Sequence, residues 1–97
     1  MTPFTISQFE GRIGDTFRVI DADGPPLELD LVSAETVDEA RPAELPQAFD
    51  LLFHGPLEPV LPQRIYRLEN DSMDPLEIFI VPIGPVEGAM RYQAAFG

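Results

Sequence analysis

The chain has 97 residues, a length typical of one domain with one modest hydrophobic core. It contains 17 acidic residues against six arginines, has no lysine and no cysteine, and carries a net charge of −11. The lack of cysteine excludes disulfides and thiolate chemistry, and the negative charge argues against nucleic-acid and membrane binding. The first residues lack the basic and apolar regions of a signal peptide, and no apolar run approaches the roughly 20 residues that span a bilayer. We therefore expect a cytoplasmic protein.

The first half of the chain predicts a helical turn followed by a β-hairpin. A turn of helix over 5–9 places two apolar side chains, Ile6 and Phe9, on the core side. Alternating and β-branched residues then predict strands over 16–20 and 27–32, joined by a turn cluster that contains Asp-Gly and two prolines.

The acidic segment 33–47 breaks every alternation pattern. We expect a solvated loop there, with a helical turn over 35–40 as an option. Long loops in compact domains are often functional, so this segment is a candidate acidic arm on a partner.

The second half predicts four further strands, near 48–54, 64–70, 76–82 and 89–96. Six short strands separated by turns indicate one all-β domain over 1–97, a small antiparallel meander closed or nearly closed into a barrel or compact sandwich. Tyr66 and Tyr92 are expected to face the core with hydrogen-bonded hydroxyls. The predicted core is Phe17, Leu29, Leu31, Phe49, Leu51, Phe53, Tyr66, Leu68, Ile78, Ile80, Tyr92 and Phe96.

Segments 49–56, 61–69, 76–84 and 92–96 resemble a family of small bacterial proteins that is catalogued as a domain of unknown function. The shared patterns are F-x-L-x-F-x-G-P, L-x-Q-x-x-Y-x-L-E, L-x-x-F-L-V-P-I-G and Y-x-A-x-F. The chain departs from them at Asn70, where histidine is frequent, and at Asp74-Pro75, where a glycine turn is frequent. The resemblance implies the fold, an association with genes for phage-tail-collar-like proteins, and no known activity.

Catalytic, cofactor and metal sites are not expected. Asp21 to Gly24 and Asn70 to Asp74 have carboxylates like those of a calcium loop, but the first lacks further ligands before Pro25-Pro26, and turn chemistry is the favoured interpretation of both. His54 is the single histidine, which excludes a multi-histidine metal site. The enzymatic alternative is a carboxylate pair, Asp50 with Glu69, across neighbouring strands.

Binding of another protein, or of a second copy of the chain, is the expected function. The strand 76–82 is apolar on both faces, so Phe79 and Val81 are candidates for an interface, together with Arg64, Arg67 and Arg91. A sheet that fails to close offers edges for strand addition as a second route. The alternative is a barrel that binds a small ligand in its interior.

Overall fold

A computed structural model describes residues 5–22, 26–36 and 48–96. They form one short helix and six antiparallel strands, which confirms the predicted all-β class. The elements are α1 (Ser7–Glu10), β1 (Thr16–Val19), β2 (Leu27–Thr36), β3 (Phe49–Gly55), β4 (Arg64–Asn70), β5 (Met73–Val86) and β6 (Ala89–Phe96). No helix in these described ranges is long and apolar enough to cross a membrane.

The sheet closes into a barrel in the order β1-β2-β3-β6-β5-β4, with β1 paired to β4. This order departs from a simple meander, because β3 lies beside β6 and not beside β4. The segment 56–63 therefore carries the chain from one side of the barrel to the other. Closure also gives each strand two neighbours, so of the two options that the sequence left open, a closed and a nearly closed sheet, the structure has the closed one.

Alternation along the strands builds the core, as the sequence predicted. The predicted core side chains are buried, apart from Phe96, which is partly exposed and packs against the others. Across the interior, the rings of Phe17 and Phe53 meet edge to face with their centroids 5.6 Å apart. Further buried residues are Phe9, Val19, Ala48, Leu61, Leu76 and Ala94.

Each end of the barrel is covered by a segment outside the strands. At one end α1 places Phe9 against Phe49 and Phe96, with ring centroids 6.0 and 5.9 Å apart. At the other end the 56–63 segment inserts Leu61, whose backbone N–H donates to the Tyr92 hydroxyl at 3.0 Å. The prediction that Phe9 faces the core is confirmed.

Two strands are longer than predicted. β2 continues to Thr36 after a bulge at Val32, so residues 33–36 belong to a strand and not to the predicted loop. The optional helical turn over 35–40 is therefore wrong for residues 35 and 36. Residues 37–47 lie outside the described residues. β5 extends over both predicted connections, leaving two-residue turns at 71–72 and 87–88. β5 pairs with β4 only as far as Ile80. Beyond it no described residue pairs with that side of β5, so Pro82 and Pro85 are tolerated there.

Side chains at both predicted acidic turns form hydrogen bonds with backbone groups of the sheet and of the turn. Asn70 accepts from the N–H of Ser72 at 2.8 Å and donates to the Thr16 carbonyl at 3.0 Å, which confirms the turn interpretation. Asp21 accepts from the N–H of Arg67 at 2.9 Å. Residues 23–25 of that turn lie outside the described residues.

Candidate functional site: an apolar patch on β4 and β5

The outer surface of β4 and β5 carries two large apolar side chains in direct register. Ile65 lies opposite Phe79, and they are 58% and 46% exposed. Their position follows from strand alternation, because the flanking residues Tyr66, Ile78 and Ile80 point into the core. Six other large apolar side chains of the described residues are also exposed, so exposure alone is not distinctive. The feature typical of interaction surfaces is that these two lie next to each other on one face.

The next row of the same surface holds an opposite-charge pair. Arg67 lies opposite Glu77, and both side chains are exposed. Within the described residues neither charged group forms an ion pair or a hydrogen bond. Val81, half-buried, continues the face beyond Phe79. We call Ile65, Arg67, Glu77, Phe79 and Val81 the Phe79 patch.

The other arginines of the predicted interface are engaged within the protein. Arg64 stacks over the Tyr66 ring at 4.3 Å, donates to the Asp21 carbonyl at 2.7 Å and lies 3.6 Å from the Asp21 carboxylate. Arg91 donates through Nε to the Gly84 carbonyl at 3.3 Å. Among the described arginines, Arg67 is the one whose guanidinium forms no hydrogen bond, ion pair or ring contact with the described residues.

The structure thus brings Arg67, Phe79 and Val81 together and directs Arg64 and Arg91 to other contacts. Sequence reasoning missed Ile65 and Glu77 as members of the patch. Their outward orientation was implicit in the alternation of β4 and β5. Only the strand register places them beside Phe79 and Arg67.

Two cavities lie along the barrel. One of about 220 Å³ lies near the continuation of the patch and is lined by Ser33, Glu35, Asp50, Leu51, Leu52, Ile83 and Gln93. In it Glu35 is directly opposite Asp50, and Gln93 donates to the Asp50 carboxylate at 3.0 Å. The other, of about 240 Å³, is lined by Ala22, Pro59, Val60, Leu61, Pro62, Arg64 and Tyr66.

The carboxylate pair considered from the sequence does not form. Asp50 is on β3 and Glu69 is on β4, and these strands are three positions apart around the six-stranded barrel in either direction. The expectation that they occupy neighbouring strands was wrong, because the chain crosses the barrel between β3 and β4. His54 is half-buried on β3, opposite Asp30 and Arg91.

Metal-ligating side chains do not converge within the described ranges, where no group of three or more histidine, cysteine, aspartate or glutamate residues is placed to hold an ion. The Asp21 carboxylate, a calcium candidate in the sequence, is instead directed to β4 by the contacts with Arg64 and Arg67.

Comparison with known proteins identifies a family. A family model described as a domain of unknown function (DUF6916) matches residues 4–96. Neither the curated proteins nor the solved structures gave a match. Because the family model spans almost the whole sequence, the chain belongs to this family.

Proposed function

We propose that this member of the DUF6916 family is a non-enzymatic, cytoplasmic protein-binding module that contacts its partner through the Phe79 patch. The observation that carries the proposal is the register of Ile65 and Phe79. Two large apolar groups lie side by side on the outer wall, next to an arginine whose guanidinium forms no ion pair or hydrogen bond with the described residues. Exposed aromatic residues and arginine are the residue types enriched where binding energy concentrates.

A protein partner fits this surface better than a small ligand does. A six-stranded barrel has an interior that its own side chains fill, and here Phe17, Phe53 and Tyr92 are fully buried inside it. The Phe79 patch lies on the outer wall of a closed barrel, where a small molecule would lose little of its surface to contact. A flat apolar area bordered by charges is typical of a protein interface.

A non-enzymatic role is supported by the positions of the acidic groups. Paired-carboxylate chemistry needs two carboxyl groups within about 5–10 Å of each other on either side of a substrate. Asp50 and Glu69, the pair considered from the sequence, lie on opposite sides of the barrel. Glu35 does lie opposite Asp50, but the two stand side by side on one face of neighbouring strands and do not flank a substrate, and Gln93 donates to the Asp50 carboxylate. We also propose that the module itself belongs to a phage-tail-like assembly, for which the support is the resemblance to proteins associated with tail-collar-like genes.

Affinity capture from the native host tests the function. The baits are the wild type, Phe79→Thr and the control Val32→Thr. Threonine retains β-propensity, and Val32 is a comparably exposed apolar residue, 38% against 46%, on β2, three strands from β5 in the closed sheet. Circular dichroism and thermal melting establish that all three are folded.

We expect the wild type and Val32→Thr to retain the same protein and Phe79→Thr to lose it. The proposal fails if Phe79→Thr retains that protein as well as the wild type does, or if no bait retains any protein, the host's own copy of the chain included. A retained structural component of a tail-like particle supports the assembly role, and a retained protein of another kind contradicts it.

A further inference from the structure

We infer that the partner seated on the Phe79 patch is a second copy of this chain, in a two-fold dimer held by reciprocal contacts between Arg67 and Glu77. The inference rests on the proposed function, since it names the partner of the same surface. The observation behind it is that one row of the patch holds both charge signs side by side, and neither charge is satisfied within the described part of the chain.

A two-fold interface apposes one surface to itself, so the surface must be self-complementary. The Phe79 patch meets that condition. Its apolar row, Ile65 with Phe79, can pack on the same row of the other copy. Its charged row then places Arg67 of each copy near Glu77 of the other, which makes two equivalent ion pairs.

Partners of uniform charge fit the patch less well. A basic protein would be attracted by the net charge of −11 but would place like charge against Arg67, the cation that borders the apolar row. An acidic protein would complement Arg67 and be repelled by Glu77 and by the rest of the surface. A surface that carries one of each sign in register satisfies both groups at once.

Net charge gives the dimer a distinctive salt dependence. Two chains of −11 repel over a distance set by the Debye length, which is about 30 Å at 0.01 M salt and about 8 Å at 0.15 M. The molecule measures 41 × 27 × 23 Å, so at low salt the repulsion reaches across it and at 0.15 M it does not. We expect association to strengthen between these salt concentrations, whereas binding to a basic partner would weaken.

Sedimentation equilibrium of the purified protein, up to millimolar concentration and at both salt concentrations, is the first measurement. We expect a monomer–dimer equilibrium, stronger at 0.15 M. Val32→Thr should leave the equilibrium unchanged, and Phe79→Thr should shift it towards monomer. A wild type that is monomeric throughout overturns the inference, and so does a dimer that Phe79→Thr leaves intact.

Charge reversal then tests the reciprocal pairing. Arg67→Glu alone places Glu against Glu twice, and Glu77→Arg alone places Arg against Arg twice, so each variant should dimerise at least about tenfold more weakly. Mixing the two variants restores opposite charges in both pairs, and so does combining both substitutions in one chain. We expect association to return in the mixture and in the double variant. Failure of both to recover, with folded proteins, contradicts the pairing.

These outcomes separate the inference from the proposed function. If the purified protein stays monomeric but captures a host protein in a Phe79-dependent way, the binding module stands and the second copy is wrong. If it dimerises through the patch and retains no other protein, the second copy is the partner. If neither association depends on Phe79, both proposals fall.

Discussion

The Tyr92 hydroxyl accepts a hydrogen bond from the backbone N–H of Leu61 at 3.0 Å, and both groups are buried. The contact joins β6 to the 56–63 segment, the part of the chain that crosses the barrel end. A short distance away, the Tyr66 hydroxyl donates to the Pro62 carbonyl. The two tyrosines thus hold the crossing segment at adjacent residues, one by accepting and one by donating.

Tyr92→Phe should destabilise the fold by about 1–3 kcal/mol, because it leaves the Leu61 N–H buried without an acceptor. Tyr66→Phe is the comparison, since it leaves a partly buried carbonyl without this donor, and its cost should be closer to about 1 kcal/mol. Urea denaturation of both variants measures the difference. Equal losses would show that the Leu61 N–H finds another acceptor.

Phe53→Ala should cost about 3–5 kcal/mol, since the ring is fully buried and packs edge to face on Phe17. Phe79→Ala removes the same ring from an exposed position and should cost less than about 1 kcal/mol. Chemical denaturation of the two variants gives the comparison. A loss at Phe79 as large as that at Phe53 would show that Phe79 serves the core and would weaken the case for the patch.

Gly55 and Gly11 respond to alanine in opposite ways. A Cβ at Gly55 would lie 2.5 Å from Leu29 Cδ2 and 3.3 Å from the Tyr92 ring, so Gly55→Ala should cost about 1–3 kcal/mol through overpacking. At Gly11 nothing lies within 4 Å and φ is −79°, so alanine should be neutral or stabilise by up to about 1 kcal/mol. Thermal melts distinguish them, and a Gly55→Ala variant as stable as the wild type would contradict the close packing.

Asn70→Ala should destabilise by about 1–3 kcal/mol, because the amide bridges Thr16 and the N–H of Ser72 and is itself 7% exposed. Ser72→Ala is the control, since it keeps the backbone donor and changes only an exposed side chain. The two losses, measured by denaturation, should differ clearly. If they are equal, the amide contributes nothing beyond the turn itself.

Local patterns in the sequence were enough to predict much of the fold. Alternation identified most of the inward residues of the six strands, because successive side chains of a strand point to opposite faces wherever the strand lies. The same alternation placed Phe79 outside and Tyr66 and Tyr92 inside, and the structure agrees. The prolines near both ends of β5 led to a predicted strand, 76–82, that is too short. A proline ends a strand only where a neighbouring strand needs its N–H.

Strand order was decided by the tertiary structure. Alternation says which face a residue occupies but not which strand lies beside it, since neighbours are chosen by the packing of the whole core and by closure of the barrel. That choice set β3 beside β6, separated Asp50 from Glu69, and closed the strand order into a barrel. It also set the register of β4 against β5, which brings Ile65 to Phe79 and Arg67 to Glu77.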